Sequence, residues 1–328
     1  MRQAVRLIFL ATIWLGGFAC QPISSAATAT PPPAISALKL IIQPDAGAQP
    51  VVALLNSAQK TIRMEMYLLT DRETIDALKA ARGRGVDVRV ILEAQPTGGA
   101  GNRPAINDLQ AANVGVKTGN PAYRATHAKT IVVDERVALI ATFNPTRASF
   151  TTNREYGVIN VNPDDVSEIV KVFDADWQRV AVTPSNPNLV WSPANTRQRL
   201  TGLIDEAKQS LDIQTDALQD RALEDCLIAA VKRGVTVRVV MSPAPSGNDP
   251  NAVGRERIVR GGAQVRFVKT PYIHAQLIVA DRARAFIGSQ NISTAALDSQ
   301  RELGISLTDA RLIQILSETF AQDWNVGR

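Results

Sequence analysis

Two histidines, His127 and His274, are the only imidazoles in this chain of 328 residues, and their surroundings match. Each is followed two positions later by a side chain that can donate hydrogen bonds, Lys129 in one case and Gln276 in the other. One imidazole can attack phosphorus and form a covalent phosphohistidine, while the other protonates the leaving oxygen and later activates water. Lysine and amide donors can stabilise the non-bridging oxygens as negative charge develops. If the two histidines meet across one cleft, the pair suits two-step chemistry on a phosphodiester.

Asparagine and glutamate recur downstream of both histidines. Asn144 and Asn291 are candidate donors to the phosphate. Glu155 and Glu302 each begin a predicted strand, where glutamate is disfavoured, and this favours a functional role for both. A carboxylate that binds one ring nitrogen fixes the tautomer and orientation of an imidazole. We therefore predict that the two glutamates orient the two histidines.

Five further side chains have predicted supporting roles. Gln276 keeps a hydrogen-bond donor but loses the positive charge of a lysine, and we place it with Ser289 and Thr142 as support for the substrate phosphate. Asp134 and Asp281 lie seven positions after the histidines. Because aspartate is typical of the first position of a turn, we predict structural roles for both.

The chain contains an internal duplication. Residues 80–90 match residues 229–239 at an offset of 149 positions (229 − 80), and from the histidines onward the offset is 147 (274 − 127). Residues 154–157 then match residues 301–304. The difference of two residues falls in loops, where insertions are tolerated. The two histidines therefore occupy equivalent positions in two copies of one unit.

Hydrophobic periodicity predicts an α/β unit in each half. Residues i and i+2 of a strand face the same side, so His127 and Lys129 should project together, as should His274 and Gln276. In the first half we predict helices near 51–58, 73–84, 104–113 and 164–179, and strands near 62–68, 86–92, 114–118, 128–133, 136–143 and 155–161. The second half should repeat this order from about 198 to 325.

These motifs resemble those of the phospholipase D superfamily, whose pattern is His-x-Lys-x4-Asp followed by Gly-Ser-x-Asn and a later acidic residue. The second copy has Gly-Ser-x-Asn at 288–291 but Gln276 in place of the lysine. The first copy has Lys129, but Ala-Thr-Phe-Asn stands at 141–144. The resemblance covers nearly the whole chain after its first 37 residues.

The resemblance implies both a fold and a division of roles. The expected fold class is α/β, with two tandem phospholipase D-like α/β/α sandwich repeats related by a pseudo-two-fold axis and an active site at their interface. It implies His127 as the nucleophile, His274 as the general acid and base, and metal-independent chemistry. The expected enzyme is a phosphoric diester hydrolase with no cofactor.

The N-terminus has the anatomy of a secretory signal. Arg2 and Arg6 precede an apolar run at 7–19, which is shorter than the roughly 20 residues that span a bilayer. The residues ending at Cys20 resemble the lipobox of bacterial lipoproteins, so lipidation of Cys20 and simple cleavage both stay open. Export to the periplasm or cell envelope is expected in either case. The predicted organisation is a signal peptide at 1–20, a flexible linker at 21–37, and repeats at 38–183 and 184–328.

The composition favours anionic binding partners but does not distinguish a phospholipid from a nucleic acid. A formal charge of +5 and a pI near 9.4 favour anionic partners. With two histidines, and with Cys226 as the one thiol after Cys20, we predict no metal site. The leading hypothesis is an exported phosphodiesterase of phospholipid headgroups, and the alternatives are an exported nuclease and a weakened phosphate- or lipid-binding protein. One chain supplies both motifs, so we predict a monomer.

Overall fold

The computed structural model describes residues 37–97, 101–244 and 247–328. The predicted signal peptide, Cys20 and nearly all of the predicted linker lie outside these residues, so the predictions for them are untested. Among the described residues, no helix combines the length and the apolar character needed to cross a bilayer.

The first half of the described chain alternates strands and helices. Its elements are β1 (Leu38–Gln43), α1 (Gln49–Asn56), β2 (Thr61–Met66), α2 (Arg72–Gly83), β3 (Asp87–Leu92), α3 (Arg103–Ala111), β4 (Gly115–Thr118), β5 (Lys129–Val133), β6 (Val137–Ala141), α4 (Arg147–Thr151), β7 (Asn153–Asn160) and α5 (Pro163–Gln178). Every predicted helix and strand of this half is present within a few residues. The prediction missed β1 and the short helix α4.

The second half repeats the order with small additions. Its elements are β8 (Leu189–Ser192), α6 (Thr196–Asp205), β9 (Ser210–Gln214), β10 (Leu218–Gln219), α7 (Arg221–Lys232), β11 (Thr236–Met241), α8 (Ala252–Arg260), β12 (Gln264–Phe267), β13 (Tyr272–Ile273), β14 (Leu277–Ala280), β15 (Arg284–Gly288), β16 (Ile292–Ser293), α9 (Thr294–Asp298), β17 (Glu302–Leu307) and α10 (Ala310–Val326).

Each half forms one large mixed sheet. The order of the first is β1-β7-β6-β5-β2-β3-β4, and that of the second is β8-β17-β15-β14-β9-β11-β12, so equivalent strands occupy equivalent places. β2, β3 and β4 are parallel, whereas β5, β6, β7 and β1 pair in antiparallel fashion. The central strands β5 and β6 are buried on both faces, which explains their apolar runs. The predicted α/β class is confirmed.

A shared core joins the two sheets. Apolar residues of β5, β6, β7 and α5 pack in one cluster with those of β8, β14, β15, β17 and α10. Separate clusters fill the space between each sheet and its outer helices, α1–α3 in one half and α6–α8 in the other. The sheets therefore face each other across an apolar layer, and this layer fixes where the edges that carry the histidines meet.

The two motif aspartates organise the loops beside the strands. The Asp134 carboxylate accepts hydrogen bonds from the backbone N–H groups of residues 59, 60 and 61, and Asp281 does the same for residues 208, 209 and 210. Both aspartates have a positive φ of 54°. Three donors on one carboxylate stabilise its charged form, and they hold the pKa of each aspartate below its usual range against the effect of burial. The geometry gives both a structural role.

Candidate active site

Each histidine is held in place by the backbone of the other repeat. His127 precedes β5, and its N–H donates to the carbonyl of Arg301 at 2.8 Å. His274 precedes β14, and its N–H donates to the carbonyl of Arg154 at 3.3 Å. β13 pairs in parallel with the start of β7, and Thr126 forms the equivalent parallel bridge with Arg301. The repeats therefore exchange short backbone contacts at the residues beside the histidines.

This exchange pairs each imidazole with the glutamate of the other repeat. His127 Nδ1 lies 3.0 and 2.9 Å from the two carboxylate oxygens of Glu302. His274 Nδ1 lies 3.0 Å from Glu155 Oε2. Both glutamates are fully buried. Because each carboxylate faces Nδ1, each imidazole presents Nε2 as its reactive nitrogen. The sequence predicted that the glutamates orient the histidines, but it did not predict the crossed pairing.

Two buried ion pairs stabilise this crossed arrangement, in which each glutamate contacts the histidine of the other repeat. Arg154, which precedes Glu155, pairs with Asp323 on α10 of the other repeat, with 2.8 Å between Nε and Oδ2. Arg301, which precedes Glu302, pairs in the same way with Asp176 on α5. All four side chains are buried. A buried charge that loses its partner typically costs about 3–5 kcal/mol, so each pair ties its glutamate-bearing strand to the opposite repeat. The arginine and the aspartate of each pair occur at equivalent positions in both repeats, and this recurrence was the sequence signal for a role at the interface.

Lys129 lies directly beside His127. Its Nζ is 3.2 and 3.1 Å from the two ring nitrogens and donates to the carbonyl of His127 at 2.7 Å. The Tyr67 ring packs edge-on against the imidazole, with 4.6 Å between centroids, and lies 5.5 Å from Nζ. Burial lowers the pKa of Lys129 to about 8, although Glu302, Glu155 and Asp216 oppose that shift. This half therefore offers a compact cationic donor near the reactive nitrogen.

The equivalent place in the second repeat has different chemistry. Gln276 Nε2 donates to Asp216 Oδ1 at 2.7 Å and also to Asn291 Oδ1. Asp216 Oδ2 lies 3.7 Å from His274 Nε2. At the repeat offset of 149, Asp216 occupies the position of Tyr67. Asp216 could not be identified from the sequence, because a single aspartate after a strand carries no distinctive signal.

The carboxylates around His274 favour its protonated form. Burial opposes a charged imidazole, but Glu155 and Asp216 outweigh it and raise the pKa of His274 to about 9. Lys129 works in the opposite direction and has the smallest effect of those named. At neutral pH His274 is therefore an imidazolium whose Nε2 proton is available to a leaving oxygen, as a general acid requires.

The asparagines line the cleft between the repeats. Asn144 Oδ1 accepts a hydrogen bond from Leu68 N at 3.0 Å, which leaves its NH₂ group as a donor. Asn291 also lines the cleft, and its Oδ1 is occupied by Gln276. Together with the two histidines they surround an opening of about 920 Å³. This volume admits a phosphodiester and part of the groups on either side of it.

Thr142 and Ser289 differ from their predicted role. Both are fully buried under the strands that carry the glutamates. Thr142 Oγ1 accepts a hydrogen bond from Tyr156 N at 3.0 Å, and its hydroxyl lies 3.5 Å from Glu155 Oε2. Ser289 Oγ accepts from Leu303 N at 3.1 Å. The two hydroxyls therefore support β7 and β17 rather than the substrate phosphate itself. Thr142 and Ser289 are buried because their positions in the motif face inward. The spacing of the motif alone did not predict this burial.

The part of the chain that the structure describes contains no metal-binding group of ionisable side chains. Among residues 37–97, 101–244 and 247–328, no three His, Cys, Asp or Glu side chains are placed to hold a metal ion. The independence of the reaction from metals and cofactors stays a prediction.

Comparison with known proteins agrees with this geometry. The family model described as cardiolipin synthase, PLD-like domain, matches residues 51–177 and 200–324, one segment in each repeat. The chain belongs to this phospholipase D-like family. The resemblance inferred from the histidine motifs is therefore confirmed, and the chain is a phospholipase D superfamily enzyme.

Individual relatives of this phospholipase D-like chain differ in activity. A cardiolipin synthase from Clostridium perfringens (strain SM101 / Type A) is 21% identical over 85% of this chain and 68% of its own length. A 5'-3' exonuclease from Bos taurus is 28% identical over 43% of this chain and 33% of its own length. The crystal structure of phosphatidylserine synthase from Haemophilus influenzae Rd KW20 has a TM-score of 0.69 at 13% identity, covering 90% of this chain and 88% of that one. The last likeness supports the fold.

Exchanging the residues at the two equivalent donor positions should have unequal effects. Lys129→Gln is expected to lower kcat by about 10²–10³-fold, because it removes a preorganised cation from the phosphate site. Gln276→Lys is expected to leave kcat unchanged or lower, since Asp216 already binds the Gln276 amide nitrogen and would pair with the new ammonium. Steady-state cleavage of bis(p-nitrophenyl) phosphate by both variants checks this. A rise of about tenfold or more in Gln276→Lys would show that the missing charge limits turnover.

The ionisation of His274 can be followed directly because the chain has two histidines. In the wild type, the imidazole NMR resonance assigned to His274 should titrate near pH 9. The protonated form dominates below that pH and is lost as the pH rises through it. In Glu155→Gln the midpoint should fall, because the main attraction for the imidazolium is removed. The His274→Asn variant identifies which resonance belongs to His274. A wild-type midpoint at or below the ordinary pKa of 6.5 would contradict a protonated His274 at neutral pH.

Proposed function

We propose that this protein is an exported phosphodiesterase of the phospholipase D type that acts on phospholipid headgroup esters through a covalent phosphohistidine. The observation that carries the proposal is the pair of crossed imidazole–carboxylate contacts, which face one cleft with unlike surroundings. One imidazole has a buried lysine beside it, and the other has a second carboxylate. Such a division suits one nucleophile and one proton donor.

The first step forms the covalent intermediate. The Nε2 lone pair of His127 forms a bond to phosphorus, the bond from phosphorus to the leaving oxygen breaks, and that oxygen takes the Nε2 proton of His274. Glu302 stabilises the positive charge that develops on His127. Lys129 and Asn144 donate to the non-bridging oxygens.

The second step reverses the proton movement. Neutral His274 accepts a proton from water or from an alcohol as its oxygen bonds to phosphorus, and the bond between phosphorus and His127 breaks. Water gives hydrolysis, and an alcohol gives transfer of the phosphatidyl group. Both outcomes use the same residues, so the acceptor decides between hydrolase and transferase activity.

The lipid substrate is tested by comparing the turnover of a phospholipid with the turnover of two forms of DNA. The purified protein is incubated in EDTA with phosphatidylglycerol vesicles and, separately, with plasmid and single-stranded DNA. We expect release of glycerol with formation of phosphatidic acid or cardiolipin, and no cut DNA. Cleavage of DNA without lipid turnover would establish the alternative of a nuclease. Binding of vesicles without turnover of either substrate would establish a phosphate- or lipid-binding protein.

The nuclease alternative has one observation in its favour. Two exposed arginines, Arg124 and Arg179, line the cleft on the side of the first repeat. Cationic side chains of this kind attract the phosphates that flank a scissile bond in nucleic acid. The similarity to the bovine 5'-3' exonuclease over 43% of this chain is a second reason to test DNA as a substrate.

Export with or without a lipid anchor is part of the proposal. The apolar run before Cys20 and the small residues that lead to it support a signal peptide. An anchor at Cys20 would hold the active site close to a membrane substrate. Metabolic labelling with palmitate should mark the wild type and not Cys20→Ser. Equal labelling of the two would exclude Cys20 as the anchored residue, and retention of both in the cytoplasm would exclude export.

A further inference from the structure

Asp216 makes the two sides of the active site chemically unlike. In the first repeat the pair at the equivalent positions is Tyr67 and Lys129, an aromatic ring and a cation. In the second repeat it is Asp216 and Gln276, an anion and a neutral amide, joined by a 2.7 Å hydrogen bond. Both members of the pair differ together. The second repeat thus has an anion in the pair where the first repeat has a cation, and both repeats keep the histidine.

The anionic side is the one that faces the leaving group. A leaving oxygen must lie within about 3 Å of the His274 Nε2 atom whose proton it receives. Asp216 Oδ2 is 3.7 Å from that same nitrogen. The Asp216 carboxylate is therefore a near neighbour of the leaving oxygen, in a position to contact a group attached to it. Its side chain is about one-fifth exposed, so its oxygens remain accessible from the cleft.

The rest of the lining is mixed in charge. Glu93 is an anion that the first half contributes, and its carboxylate already accepts hydrogen bonds from the backbone N–H groups of Gln95 and Thr126. The residues that the second repeat contributes are Asp216, His274, Asn291, Ser293 and Gln300, so Asp216 is the one anion of this set. Both arginines of the lining come from the first half of the chain. A carboxylate attracts hydroxyl and ammonium donors and repels a phosphate.

We propose that Asp216, held by Gln276, forms a leaving-group subsite that selects alcohols carrying hydroxyl or ammonium donors and rejects alcohols carrying a second phosphate. This inference rests on the proposed function, because it assigns the leaving group to the side of His274. By reversal of the second step, the same subsite selects the alcohol that accepts the phosphatidyl group. Glycerol and ethanolamine headgroups fit it, and glycerol phosphate does not.

The test compares two lipids whose leaving groups differ by one phosphate. Short-chain phosphatidylglycerol and phosphatidylglycerol phosphate are supplied to the full chain at one pH, together with phosphatidylethanolamine. The wild type should prefer phosphatidylglycerol over the phosphorylated lipid by at least about tenfold in kcat/KM, because like charges meet in the subsite. Asp216→Asn should reduce that preference to within about threefold. Any change in the acidity of His274 affects both lipids equally and cancels in the ratio.

The matched control changes another carboxylate of the same repeat. Glu206 lies after α6, is two-thirds exposed and pairs with Arg284 away from the cleft, so Glu206→Gln should keep the wild-type preference. An unchanged preference in Asp216→Asn, or equal turnover of the two lipids by the wild type, would overturn the proposal.

Failure of the lipid function has a separate signature. If neither lipid is cleaved but bis(p-nitrophenyl) phosphate is, the proposed phospholipid substrate is wrong. The selectivity of the subsite can then still be measured from which alcohol accepts the phosphoryl group. Glycerol and glycerol 3-phosphate are then added to that reaction, and the captured products are compared. Capture by glycerol alone, extended to glycerol 3-phosphate in Asp216→Asn, supports the subsite. Equal capture by the wild type, or capture by water alone, overturns it.

Discussion

Replacing His127 with alanine is expected to lower kcat by about 10⁴-fold or more, because it removes the nucleophile on which both steps depend. The loss should be similar for a lipid and for bis(p-nitrophenyl) phosphate, since a better leaving group cannot replace the bond to phosphorus. Steady-state rates on both substrates measure it. A folded variant is shown by unchanged circular dichroism, and residual activity above about one-tenth of the wild type would exclude His127 as the nucleophile.

Replacing His274 with alanine should also abolish lipid turnover, with a loss of about 10²–10⁴-fold for an alcohol leaving group. The effect on p-nitrophenol release in the first turnover should be much smaller, because this leaving group departs without a proton. The second step still needs the base, so a burst of p-nitrophenol is expected, followed by a stall. Pre-steady-state absorbance measures the burst, with His127→Ala as the control that shows none. Equal losses on both leaving groups would contradict the role of His274 as the acid.

The elements of the fold could be predicted because their patterns are local. Strands such as β5 and β6 are buried on both faces and therefore read as apolar runs. Gly85 and Gly234 mark the ends of α2 and α7, where φ values of +92° and +90° suit glycine. The place of Lys129 beside His127 followed from the alternation of a strand.

The pairing of imidazoles with carboxylates could not be predicted in the same way. Whether His127 meets Glu155 or Glu302 depends on how two sheets pack, and no local pattern encodes that. Arg301 fixes the answer by binding the His127 backbone and by pairing with Asp176 across the interface. The burial of Thr142 depends on the same packing.

The asymmetry between the repeats was visible in the sequence only in part. Gln276 in place of a lysine suggested the loss of one charge, with one useful donor kept. The structure places Asp216 against that amide, so the change is a coordinated replacement of two residues rather than the loss of one. Glu155 is the main cause of the raised pKa of His274, and the Asp216 carboxylate adds to it. The surroundings of the two histidines therefore differ: a buried lysine lies beside His127, and a second carboxylate lies near His274.

The most direct test of the proposed roles of the two histidines is to identify the residue that carries the phosphoryl group. His274→Ala is mixed with bis(p-nitrophenyl) phosphate, quenched after the burst, digested and analysed by mass spectrometry under conditions that preserve phosphohistidine. We expect one adduct on the peptide containing His127, in an amount equal to the p-nitrophenol burst. A burst without any adduct, or an adduct on another residue, would contradict the proposed roles.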